Sequence, residues 1–151
     1  MENLKTTLTS VIAGEVNHIS IHILDEMIEN IGTTDPVVRD QLIFSAFCKL
    51  IFDNFLEKEQ LEYILNSLLK NRSLFFDIEN STTDSVFTRS FTSLIFAAIL
   101  EYDVTKQILD ESIVRQVINA SHDYMMNEQD LRGYVQDKGW AHAVAHGADL
   151  L

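Results

Sequence analysis

Val86-Phe87-Thr88-Arg89-Ser90-Phe91-Thr92-Ser93-Leu94-Ile95-Phe96-Ala97-Ala98-Ile99-Leu100 is the stretch whose reading decides the fold. Val, Phe, Thr and Ile suit a β-strand. Its length argues for a helix, and so do the segments on either side, which repeat apolar residues at helical spacing. It therefore reads as a central buried helix. Its longest unbroken apolar run, Leu94 to Leu100, is far short of the ~20 residues that span a bilayer.

Helical periodicity extends outward in both directions. From Glu15 to Ile31, the residues Val16, Ile19, Ile23, Leu24, Met27, Ile28 and Ile31 recur at three- and four-residue steps, as on one face of an amphipathic helix. Gly32 suits a left-handed cap after it. Thr34 or Asp35 then caps a helix whose first position is Pro36, where a missing N–H costs nothing. That helix carries Val37, Leu42, Ile43, Phe44, Phe47, Leu50 and Ile51, and another runs from Glu57 to Lys70. Asn80 to Asp84 reads as loop and cap, Thr105 to Met126 as one helix or two short ones. Asp130 to Lys138 holds a turn at Gly133, with another at Gly139, and Trp140 to Leu151 reads as a terminal helix.

Composition bounds the function classes. The chain has 151 residues, a net charge of −12 and one Pro. One all-helical domain over residues 1–151 is expected, and a chain this long buries enough surface to fold without disulfide or metal. The acidity argues against nucleic acid and anionic membrane as partners, since both demand clustered Lys and Arg. Met1 to Ser10 lacks the pattern of a signal peptide, so a cytoplasmic location is expected. Cys48 is the lone cysteine. Its apolar setting, Phe44 to Phe47, reads as core rather than as a nucleophile's surroundings.

A weak repeat is present. Thr33-Thr34-Asp35-Pro36-Val37 is echoed 49 residues later by Thr82-Thr83-Asp84-Ser85-Val86. Each is followed by an Arg, Arg39 or Arg89, and a long apolar helix. Asp130-Leu131-Arg132 is a looser third echo. Periods in the forties with helix pairs suggest stacked helical hairpins of HEAT or armadillo type, a partial solenoid. Asp35/Arg39, Asp84/Arg89 and Asp130/Arg132 are then expected to pair within and between layers. The functional alternative is an Arg-lined groove for an anionic ligand.

The chemistry-bearing stretch is Arg132 to Leu151. With Trp140 at zero, the helical turn of about 100° per residue puts His142, His146 and Asp149 near 200°, 240° and 180°. Two imidazoles and a carboxylate on one face offer ligands to a divalent ion such as zinc, once a fourth group such as Glu128 or Asp130 joins them. The same stripe also fits a polar helix face or a hydrogen-bonded structural network. His18, His22 and Asp25 repeat the spacing beside Glu15, Glu26 and Glu29, which reads as an ordinary solvated stripe. His122-Asp123 raises the metal-dependent phosphohydrolases, without their supporting pattern. No Gly-rich phosphate loop or nucleophile elbow occurs.

The stretch R-G-x4-K-G-W-A-H-A-x-A-H-G-A-D-L-L (Arg132 to Leu151) resembles the signature of a bacterial family known as domain of unknown function 2785. Ile31 to Pro36 with Arg39-Asp40, and Ser85 to Phe91, resemble it too. The resemblance spans Leu24 to Leu151 and implies an all-helical cytoplasmic protein of Gram-positive type, with no named activity. Arg132, Gly133, Trp140, His142, His146 and Asp149 match the motif. Family members continue past it, so this chain is expected to be the N-terminal part of a longer architecture, and its apolar end to be covered by a protein partner or a second copy.

The expected function is a binding or scaffold module. Its ligand site would be formed by Arg132, Trp140, His142, His146, Asp149 and Asp130. The alternative is a metal-dependent, hydrolase-like enzyme holding its ion through His142, His146 and Asp149. A third reading is a purely structural half of a larger protein.

Overall fold

The structure, a computed structural model, describes Glu2 to Leu150. Helix α1 (Glu2–Ile12) buries Leu4, Leu8 and Val11, a stripe at helical spacing. Helix α2 runs from Ile21 to Glu29, not from Glu15. The Ser20 side chain accepts the Ile23 N–H, so the helix starts there. His18 therefore lies outside the helix that carries His22 and Asp25, and the spacing shared by the three has no helical meaning.

The segment after Pro36 is not one α-helix. Val37–Phe44 is π-helical and continues into α3 (Ser45–Phe52). The Asp35 carboxylate accepts the N–H groups of Val37 and Val38 at 3.0 and 3.3 Å, the capping role expected of it. The wider i→i+5 turn changes which side chains face inward. Val38, Arg39 and Ile43 are buried there. Helix α4 (Lys58–Lys70) opens with a capping box between Glu57 and Gln60. A 3-10 turn (Ser73–Phe75) follows.

Helix α5 (Ser85–Lys106) is the central element. It is buried on almost every side, from Val86 and Phe87 through Phe96 to Tyr102, as its apolar composition requires. It absorbs Thr105 and Lys106, so α6 begins later than expected (Glu111–Asn127) and buries Ile113, Val117 and Tyr124. Two short strands follow, β1 (Tyr134–Val135) and β2 (Gly139–Trp140), antiparallel with Tyr134 opposite Trp140. Helix α7 is only Ala143–Ala148.

The chain is thus mainly α-helical. The odd-numbered helices touch in sequence, α1 with α3, α3 with α5 and α5 with α7. The even-numbered ones do the same, α2 with α4 and α4 with α6. One continuous apolar core, from Leu4 to Leu150, lies among them. Among the described residues no helix is long and apolar enough to cross a membrane.

Candidate functional site

Three arginines and a lysine tie the C-terminal segment to the rest of the fold. The Arg39 guanidinium is fully buried over the rings of Phe87 and Phe91, 4.1 and 4.8 Å from their centres. It donates to the carbonyls of Thr33 (2.9 Å) and Lys138 (2.8 Å). Its Nε lies 2.8 Å from Asp40 Oδ1. That contact is too bent for a hydrogen bond, so both atoms are buried without one. Burial lowers the Arg39 pKa and raises that of Asp40, each opposed by the partner's charge.

Arg89 is also fully buried, and Glu128 almost so. Arg89 grips the Glu128 carboxylate in two-pronged fashion, at 2.6 and 3.0 Å. It also donates to the Phe76 carbonyl and Ser85 Oγ, both at 2.9 Å. Arg132 holds Asp130 at 3.0 and 2.6 Å and reaches the Thr83 carbonyl. Lys138 pairs with Asp84 at 2.7 Å. The expected partners are corrected accordingly. Arg39 meets Asp40 rather than Asp35, and Arg89 meets Glu128 rather than Asp84. Only Asp130/Arg132 pairs as read from the sequence. Arg132, Asp130 and Glu128, named above as candidate ligand groups, all take part in these ties; Arg132 and Asp130 also line, with Gly133 and His142, an open depression of about 440 Å³.

The terminal helix requires a larger correction. Gly139–Trp140 is a strand, and His142 sits before α7 in the left-handed region at φ 49°. Asp149 lies just beyond the end of α7. The single helical face of His142, His146 and Asp149 does not exist, because the hairpin with Tyr134–Val135 takes the first residues of the supposed helix. Among the described residues no three His, Cys, Asp or Glu side chains lie close enough together to hold a metal ion. The metal triad is therefore not assembled.

The two imidazoles nevertheless meet. Their ring centres are 5.7 Å apart, edge to face. His142 stacks on Trp140 at 4.5 Å, and His146 meets Phe91 at 5.9 Å. Together with Asp40, Phe44 and Leu94, these side chains line an open cleft of about 270 Å³. His146 is fixed from below. Buried Ser90 Oγ lies 2.7 Å from His146 Nδ1 and also donates to the Ala141 carbonyl. A hydroxyl has one proton, and the buried carbonyl can only accept. Ser90 therefore gives its proton to Ala141, and His146 Nδ1–H donates to Ser90. That tautomer leaves the Nε2 lone pair without a partner among the described residues. Burial, then the neighbouring His142, lowers the His146 pKa to about 4, so the ring is neutral near pH 7.

Asp40, Phe44, Phe91, Leu94 and Ser90 were absent from the sequence-based site. The sequence signal for Ser90 was the group of small polar residues, Thr88, Ser90, Thr92 and Ser93, set in the N-terminal half of the buried helix. The other motif candidates do not gather. Asp25 accepts the Tyr63 hydroxyl, and His22 faces Glu26. His122 and Asp123 are 3.7 Å apart on an exposed surface. A larger depression of about 370 Å³, near Leu100, Val104, Val114, Ile118 and Leu150, contains none of the imidazoles.

No curated protein and no solved structure matches the chain. The profile of a family described as "Protein of unknown function (DUF2785)" matches residues 74–151. That range covers α5, the Arg89–Glu128 pair, the hairpin and both cleft histidines, whereas the Ile31–Pro36 resemblance falls outside it. Since the match takes in more than half of the sequence, the chain belongs to the DUF2785 family.

Proposed function

We propose that the protein is a binding module of stacked helical hairpins, with its ligand seat in the cleft of Asp40, Phe44, Phe91, Leu94, Trp140, His142 and His146. Two rows of alternating helices support the stacked-hairpin reading, since each hairpin then contacts mainly its neighbours. The observation that carries the binding reading is the Ser90–His146 link. It holds a neutral imidazole in one tautomer, with an unused lone pair, beside three aromatic rings. Ligand sites commonly combine apolar walls with a few fixed polar groups in this way.

Trp140 is the single tryptophan and is half exposed, so its fluorescence reports on the cleft directly. A fragment library titrated against the protein should yield compounds that change Trp140 emission and shift the His146 imidazole resonances. Phe44→Ala, at a partly exposed wall position, should weaken the response while leaving the helical circular dichroism in place. A library that moves neither signal overturns the proposal.

A further inference from the structure

We infer that this cleft takes a small organic ammonium ion with an apolar body and at least one N–H to donate, an inference that rests on the binding reading above and narrows it to a ligand class.

The walls come first. Phe44, Phe91 and Trp140 line the cleft, and aromatic faces attract cations through their quadrupoles. The polar groups come next. His146 Nε2 is an acceptor, because Nδ1 is committed to Ser90. Asp40 adds a carboxylate. Its Oδ1 is turned inward against Arg39 Nε at 2.8 Å, so the partly exposed remainder of the side chain faces the cleft. A guest with N–H donors would satisfy that face and His146 Nε2, whereas a neutral apolar guest would satisfy neither.

Charge gives the same answer. Past Phe44 and Leu94 the cleft continues into a second depression of about 430 Å³, lined also by Cys48, Phe52, Glu101 and Asp149. Asp40, Glu101 and Asp149 thus follow the groove, and no Lys or Arg lines either part of it. Arg39 is fully buried, paired with Asp40 at 2.8 Å and bonded to two backbone carbonyls, so it has no reach toward an anionic guest. Arg132 lines only the depression on the other side of His142, where it is held by Asp130. Along Glu101 and Asp149 an anion would meet carboxylates with no cation lining the groove. The cleft volume, about 270 Å³, lies just below the usual range of ligand sites, which suits one ring and a short amine arm.

Four probes share one apolar body: phenethylammonium, its quaternary trimethylammonium analogue, phenethyl alcohol and hydrocinnamate. Each is titrated into the full chain with Trp140 emission and the His146 resonances as readouts. Phenethylammonium should bind at least roughly tenfold more tightly than the other three. Asp149→Asn and Glu101→Gln, both at exposed positions outside the arginine ties, should each weaken it roughly threefold. Equal binding of hydrocinnamate or the alcohol overturns the ammonium inference and leaves the cleft standing. Equal binding of the quaternary ion overturns the N–H requirement and the class with it. If phenethylammonium does not bind while other fragments move Trp140, the ligand class alone fails. If no fragment moves either signal, both readings fail.

Discussion

Arg89 and Glu128 show how much rests on single side chains in this protein. Both are withdrawn from water and each satisfies the other. Removing one partner leaves an uncompensated buried charge, whereas replacing both with apolar groups can be nearly neutral. Arg89→Met should therefore cost about 3–5 kcal/mol in urea unfolding, and adding Glu128→Gln should recover part of that loss. His146 gives a second prediction at the same scale. An unfolded imidazole takes its proton near 6.5, while the folded one does so only near 4. Between those values only the unfolded chain gains the proton. The contribution of His146 to stability is therefore full above 6.5, falls as pH drops toward 4, and levels off below. With its partial exposure taken into account, the loss should be roughly 2 kcal/mol. Urea midpoints for wild type and His146→Asn across this window check it: the variant should lack that part of the slope.

Among the elements, the β1–β2 hairpin decides whether the cleft exists. It places Trp140 opposite Tyr134 and sets His142 into the left-handed region before α7. Gly139 makes the hairpin feasible, at φ +83° and with an added Cβ only 3.0 Å from Pro36 and 3.1 Å from the Arg39 guanidinium. Gly139→Ala should therefore cost about 1–3 kcal/mol and diminish the Trp140 response to any cleft ligand. Thermal unfolding and ligand titration would measure the two effects. The sequence made α4 and α5 legible, because their apolar residues are dense; the cap expected at Asp84 is not made, since its carboxylate pairs with Lys138 instead. It made the family motif legible too, since Arg132 to Leu151 is long and unusual. The hairpin was not legible. Alanines around His142 favour a helix locally, and pairing with Tyr134 and Val135 overrides that preference only once the chain has folded back. The cleft was half legible for the same reason. His142, His146 and Trp140 lie close in sequence, whereas Asp40, Phe44 and Phe91 come from two distant helical segments.

At the scale of the whole molecule, charge is spent in two ways. The net −12 is carried largely on outer faces and caps, while the fully buried cations Arg39 and Arg89 are held inside by groups from the last quarter of the chain. A chain ending at Asn127 would lack both Glu128 and the Lys138 carbonyl. It should be largely unfolded by circular dichroism, with a broad, non-cooperative melt; a sharp native-like transition would contradict this account. The Arg39–Lys138 bond joins positions 99 residues apart, and that distance has a consequence for how the protein is made. During synthesis Arg39 leaves the ribosome long before its acceptor does. Until Glu128 and Lys138 emerge, the nascent chain lacks the last acceptor for each of its two buried guanidinium groups. Final closure around Arg39 is thereby a late event, completed only when the C-terminal segment folds back onto the beginning of the chain.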